Sequence, residues 1–377
     1  MAAAAGGSTI VPMPQGLRAN ADAYGAPLMR RLDELASFTE VPGQLTRRYL
    51  SRAHLAASRQ VAAWMQEAGM GVRTDALFSV FGRYEGRRPQ APAIMLGSHL
   101  DTVLDAGRYD GALRVLAAIA VAAELSRCGE RLQHAIEVAA FGEEEGSRFS
   151  AHILTSSALI GAVAPEFMDS RDKDGISVRE AVAAAGGNAD DYLSCARKAG
   201  EIAAYLELHI EQGPVLERSG LALGAVTAIN GSHRLSVTVS GFAGHAGTVP
   251  MSQRRDALAA DMRSPSDAVC TRAHLTTLSE IAARRGVAVE AAAYQTNAAT
   301  PLADGVITAV LEAIAACGQA PLSLPSGAGG MIFLRCKDGI SHNPAESITA
   351  EDAEVGVRAL LEATRRLDHR LAGLAAA

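Results

Sequence analysis

The sequence predicts an α/β protein in which a larger domain is interrupted by a small α+β unit. Two short apolar runs, 93–97 and 135–141, flank an apolar helical stretch from Leu113 to Leu125, the strand–helix–strand order of a buried sheet. Polar, chemistry-bearing residues follow each run, where an open α/β sheet places its ligand crevice. After Gln212-Gly213-Pro214 the pattern changes to longer alternating segments, the mark of half-buried strands.

Taken in order, residues 26–70 read as helical, with Leu28, Leu32 and Leu35 and then Ala56, Val61, Ala62 and Met65 at three-to-four spacing. Residues 72–75 and 80–84 read as strand fragments, and 203–210 as a further buried strand. Residues 221–229 and 234–240 alternate, 266–285 form a helix and 287–294 another strand. A helix at 302–317, a segment at 326–344 and a last helix at 350–371 return the chain to the larger domain. The expected division is 1–215 with 297–377 as the larger domain and 216–296 as the insertion.

A chain of 377 residues is long enough for two cores, and 49% hydrophobic content argues against disorder. A formal charge of −6 shows no nucleic-acid footprint, and no apolar run is long enough to span a bilayer. Met1 to Gly7 lack the basic and apolar regions of a signal peptide. Cys128, Cys195, Cys270, Cys317 and Cys336 are scattered and read as free thiols, so a cytoplasmic location is expected.

The chemistry concentrates in a few places. Gly97-Ser98-His99-Leu100-Asp101-Thr102 is followed closely by Asp110-Gly111, and Glu143-Glu144-Glu145 ends the second strand. His209 and His342 stand in Glu-Leu-His and Ser-His-Asn settings. Imidazoles and carboxylates without cysteine form the ligand palette of a hydrolytic metal centre. Asp101 is placed to accept the second N–H of His99 and fix its tautomer. The alternatives are a core histidine at 99 or 209, a helix N-cap at Asp110, a surface acid loop at 143–145 and a turn role for His342. Two adjacent acids also suit a division of labour, one ligating a metal and the other moving a proton. His245, on a Gly-flanked turn, is either solvated or a contact to ligand or oxyanion. Arg263 suits a substrate carboxylate but is equally an ordinary surface arginine.

These segments, with residues 107–111, 143–149, 207–214, 244–248 and 339–346, resemble in order and spacing the amidase/hydantoinase–carbamoylase branch of the M20 metallopeptidase-like hydrolases. The resemblance implies a zinc-peptidase-like catalytic domain with a mixed sheet flanked by helices, plus an inserted lid and dimerisation domain. It implies His99, Glu145, His209 and His342 as terminal ligands, with Asp110 bridging two divalent ions, zinc or manganese, with cobalt and nickel also suited. Glu144 would be the general base and acid, and Asp101 would support His99. Gln212, His245 and Arg263 would bind substrate, His245 polarising the scissile carbonyl of a neighbouring subunit in a homodimer. The substrate would be a small ureido acid, allantoate foremost, giving ammonia and carbon dioxide. N-carbamoyl-L-amino acids or a β-ureido acid are the alternative. A peptidase or deacylase of the same superfamily would keep the fold and change the substrate.

Three departures accompany the resemblance. Residues 256–263 join the start of a helix to the end of a strand, shortening the insertion. Gly329 abuts Gly330 where a longer stretch is expected, and Arg114 replaces a small residue just inside the helix after Asp110. A metal-binding relative without turnover is therefore the alternative from another functional class.

Overall fold

A computed structural model describes residues 23–149, 153–229, 231–240, 262–264, 278–285, 288–297, 300–326 and 330–374. The chain divides into two compact units: Met1–Gly224 with Ala309–Leu322 and Ile332–Ala377, and Ala225–Thr308 with Ser323–Met331.

The first unit opens with α1 (Gly25–Ala36) and α2 (Arg52–Glu67). One continuous helical region was expected here. Residues 37–51 instead cross irregularly between the helices, passing Pro42 and a left-handed Gly43 (φ 83°). The buried Arg47 pins this crossing: its guanidinium donates to the carbonyls of Leu35 and Leu100 at 2.8 and 2.7 Å. The second helix restarts where the Ser51 hydroxyl accepts the His54 N–H, an N-cap that satisfies one otherwise orphaned donor.

Strands β1 (Gly71–Thr74), β2 (Val80–Tyr84), β3 (Ala93–His99), β4 (Ile136–Phe141) and β5 (Ile202–Ile210) follow, with α3 (Ala112–Arg127) between β3 and β4. In this unit the sheet order runs β1-β2-β4-β3-β5 and on to β12 (Gly330–Leu334) from its Ile332 on. The first two strands pair antiparallel, whereas β3 runs parallel to both β4 and β5, so the sheet is mixed. Every residue of β3 and β4 is buried, as for strands covered on both faces. On α3, Leu113, Leu116 and Ile119 are buried, and each contributes about 1.5–3 kcal/mol by leaving water. Within the segment 326–344, to which the sequence pattern assigns no element, Gly330–Leu334 form a wholly buried strand.

Between β4 and β5 lie α4 (Leu154–Leu159) and α5 (Val178–Ala184), and α6 (Val215–Arg218) follows β5. A satellite core forms here from Tyr49, Leu77, Phe149, Met168, Val178 and Val182. The second unit contains β6 (Leu223–Ile229) from its Ala225 on, β7 (Gly231–Ser240), β8 (Met262–Ser264), α7 (Leu278–Arg285), β9 (Ala288–Asn297), β10 (Thr300–Pro301) and β11 (Ser323–Ser326). Here β7 pairs antiparallel with β8 and β9, while β6 pairs antiparallel with β10 and parallel with β11. Of the helix expected at 266–285, only α7 lies within the described residues. The chain continues through α8 (Asp304–Ala316) and closes with α9 (Ala350–Leu374).

His54 gives the fold a pH dependence. Its ring is buried edge-on to Tyr49 (centroids 5.5 Å apart), and neither ring nitrogen has a hydrogen-bond partner among the described residues. Burial, reinforced by Arg47 and Arg148, lowers its pKa to about 3. The unfolded chain therefore takes a proton that the fold refuses, and stability falls as pH drops below about 6.5, by about 1.4 kcal/mol per unit. At pH 5 this amounts to about 2 kcal/mol relative to pH 7. Urea unfolding at both pH values is expected to show the wild type losing about 2 kcal/mol more than His54→Leu between pH 7 and pH 5. Equal losses in the two proteins would remove His54 from the account.

Candidate metal centre

The exits of two parallel strands set the centre. His99 ends β3, and the Leu100 N–H donates to the Phe141 carbonyl at 2.9 Å, tying this exit to the end of β4. The His99 Nδ1–H donates to the main-chain carbonyl of Asp101 at 2.9 Å. This corrects the expected partner, since the nearer Asp101 carboxylate oxygen is 3.7 Å from Nδ1. That carboxylate is already committed: its two oxygens accept the N–H groups of Glu144 and Glu145 at 3.2 and 3.1 Å. Asp101 thus fixes the tautomer of His99 through its backbone and the acid loop through its side chain. The Nε2 lone pair of His99 is left facing Asp110 and Glu144, 3.9 and 3.8 Å away.

Asp110 precedes α3 without capping it, because the N-cap position is Gly111 and no side chain caps the helix. Its backbone is held from far along the chain. The Glu346 carboxylate accepts the N–H groups of Tyr109 and Asp110 at 2.7 and 3.0 Å, and also the Ser341 hydroxyl proton at 3.1 Å. Sequence reasoning gave Glu346 no role, although it lies inside one of the matching segments. The Asp110 carboxylate turns into the centre, where its Oδ2 lies 3.0 Å from His342 Nε2 and accepts from Gln212 Nε2 at 2.9 Å. Its Oδ1 accepts from Arg114.

The three glutamates separate by role. Glu143 is buried and structural: Oε1 accepts the N–H groups of Phe149 and Arg148 at 2.6 and 3.3 Å, and burial pushes its carboxyl up to about 7. Glu144 is partly exposed beside His99. Glu145 meets His342, with Oε1 3.3 Å from Nε2. Glu143, Gln212 and His342 all have left-handed backbones (φ 52°, 53° and 54°), a cost that non-glycine residues bear where a surrounding structure over-determines them.

Ligand atoms of His99, Asp110 and Glu145 all lie within 4.8 Å of one another. This donor set of imidazole and carboxylate suits a divalent ion. Electrostatics point the same way. Burial opposes a charged His99, yet Glu144 and Asp101 carry its pKa up to about 9. Burial also raises Glu145 to about 7, with Asp110 and Glu144 adding to the effect against the pull of His99. A cluster that stabilises a proton on His99 and strains a neighbouring acid is one that favours a cation. His209 donates from Nδ1 to the Ile210 carbonyl at 2.5 Å, which leaves its Nε2 lone pair available. Burial and then Arg114 lower its pKa to about 3, so its ring is neutral, the form that ligates metals.

His245 lies outside the described residues. Arg263 is described through its backbone, which pairs with Ser232 across β7 and β8; its side chain lies outside the description. A cavity of about 1300 Å³, lined by residues such as Tyr24, Leu28, Leu116 and Arg365, contains none of the centre's groups.

A family model described as peptidase family M20/M25/M40 matches residues 95–366. The N-carbamoyl-L-amino acid amidohydrolase of Geobacillus stearothermophilus is 35% identical over 395 residues, covering 89% of this chain and 97% of that protein. An allantoate deiminase of Arabidopsis thaliana is 40% identical over 247 residues, covering 64% of this chain and 47% of that protein. Among solved structures, a hydantoinase/carbamoylase family amidase from Burkholderia multivorans matches with a TM-score of 0.81 at 28% identity, covering 91% and 97% of the two chains. With a His/Asp/Glu cluster at the strand exits of a mixed α/β sheet and this likeness along nearly its whole length, the chain belongs to the M20 family of metal-binding hydrolases, in its hydantoinase/carbamoylase branch.

Proposed function

We propose that this chain is a metal-dependent amidohydrolase that cleaves a C–N bond of a small ureido acid, with allantoate the foremost substrate. The observation that carries the reading is the convergence of His99, Asp110 and Glu145, with Glu144 beside them. The ligands would be His99, Asp110, Glu145, His209 and His342. A divalent centre held there, zinc or manganese, would supply Lewis acidity toward the ureido carbonyl and acidify water.

The chain's own groups do the rest. Glu144 removes the proton from the attacking water and passes it to the leaving nitrogen, the paired role of a general base and acid. Asp101 holds Glu144 and Glu145 at their backbones and His99 at its tautomer, so the three enter the reaction already oriented. Gln212, anchored between Asp110 and Ser341, is placed to meet the substrate's polar end. Arg263 holds the carboxylate, and His245 polarises the carbonyl of a neighbouring copy in a homodimer formed through the second unit. Loss of ammonia leaves a carbamate, which collapses to carbon dioxide and the free amine.

A second reading, hydrolysis of N-carbamoyl-L-amino acids, is favoured by the relative of that name aligned over 89% of this chain. The test strips the protein of metal, restores manganese, zinc, cobalt or nickel singly, and follows ammonia release from allantoate and a panel of N-carbamoyl-L-amino acids. Metal-dependent release is expected, and the faster substrate decides between the readings. Bound metal without release from any ureido acid would sink the amidohydrolase reading and leave a metal-binding relative without turnover.

A further inference from the structure

We infer that Arg114 makes the two metal positions of this centre unequal: its guanidinium holds the Oδ1 side of Asp110, so the chain binds one divalent ion tightly and resists a second. The inference rests on the metal-dependent reading above and concerns how many ions that centre accepts.

A carboxylate that bridges two ions must offer one oxygen to each. Here the two oxygens of Asp110 face different company. Oδ2 meets His342 and Gln212, with Glu145 close to the same imidazole. Oδ1 accepts from Nη2 of Arg114, one turn into α3. The other arm of that guanidinium, Nη1, donates to Glu207 at 2.7 Å and to the Ser98 hydroxyl at 2.9 Å.

Arg114 cannot easily leave. Its side chain is only 7% exposed, and Glu207 is only 3% exposed. Glu207 is fixed in turn by the Tyr205 hydroxyl at 2.9 Å. Withdrawing the guanidinium would strand Glu207 as an unpaired buried charge, an outcome proteins bear poorly. An arginine also stays charged at every working pH. A second divalent ion at Oδ1 would therefore face a fixed positive charge at close range in a poorly screened site, together with the loss of the oxygen it needs. Arg114 therefore balances the Oδ1 side of this carboxylate before any metal arrives.

The test is metal stoichiometry, independent of turnover. Metal-free wild type is titrated with manganese, free ion is followed by electron spin resonance, and tightly held metal is counted by elemental analysis after desalting. The wild type is expected to hold one equivalent, with a second at least about a hundredfold weaker and no spin-coupled pair signal at moderate manganese. Arg114→Ala is expected to gain the second equivalent, whereas Arg114→Lys, which keeps the charge, stays nearer to one. Because Arg114→Ala leaves Glu207 unpaired, the double variant Arg114→Ala with Glu207→Gln provides a folded alternative that retains the Tyr205 and Ser98 hydrogen bonds. Two tight equivalents in the wild type would overturn the inference on their own, whatever the variants do. So would a folded double variant still limited to one. No metal in any of the proteins would instead overturn the metal-dependent reading, and this inference with it.

Discussion

Glu144→Gln is expected to lower kcat by about a hundredfold to ten-thousandfold on the preferred ureido acid while leaving bound metal and KM nearly unchanged. The substitution keeps the size of the side chain and the backbone N–H that donates to Asp101, so the loop 143–145 retains its course. It removes only the ability to take and return a proton. Glu144 is the one acid of the three that stands partly exposed beside His99, with neither the burial of Glu143 nor the contact of Glu145 with His342. Steady-state kinetics and elemental analysis on the same preparation separate the outcomes. A full rate would remove Glu144 from proton transfer, and a lost rate accompanied by lost metal would make it a ligand instead.

The largest stability effect is expected at Gly97, two residues before His99. Its φ is +126°, and a Cβ built there would lie 2.0 Å from the carbonyl oxygen of Ala139 on the paired strand. The obstacle is backbone, which cannot rotate away, so β3 and β4 would have to separate at the point where they deliver His99 and the glutamates. Gly97→Ala is expected to cost about 4 kcal/mol or more, among the larger single-residue losses. Gly129→Ala supplies the comparison, because Gly129 has φ +64° but nothing within 4 Å of a new Cβ. It should cost only the left-handed penalty of about 1–2 kcal/mol. Thermal or urea unfolding of the two variants side by side measures the difference, and similar losses would show that the strand contact at Gly97 does not matter.

How much of this was legible in the sequence follows from distance along the chain. The runs at 93–97 and 135–141 and the helix between them are local patterns, and they appear as β3, α3 and β4 with only small changes at their ends. His99, Asp110 and Glu145 could be picked out because strand exits in an α/β sheet collect polar residues within short segments. The short strand at 330–334 was not anticipated, since five apolar residues carry no period that distinguishes a strand from a loop packed in a core. Nor did the sequence show that the Asp101 carboxylate would serve the glutamates rather than His99. That choice depends on β4 lying beside β3, a tertiary fact. Arg114 stood out as a departure from the family pattern. Its partner Glu207 is 93 residues away on β5 and could not be paired with it by spacing. Glu346 is more distant still, 237 residues from Tyr109.

That last contact has a consequence for the order in which the molecule assembles. The backbone of Asp110 is fixed by an acid near the end of the chain, and His342 reaches the same carboxylate from the same late segment. Closing so long a loop is slow compared with forming the local strand–helix–strand core, because its entropy is spent before the contact returns anything. The β3–α3–β4 core can be complete while Asp110 still lacks two of the groups that position it. During synthesis the residues of the centre emerge in two instalments, and no chain that stops short of Glu346 contains the whole of it. Competence to bind is therefore acquired at the end of folding, by a protein whose framework is already in place.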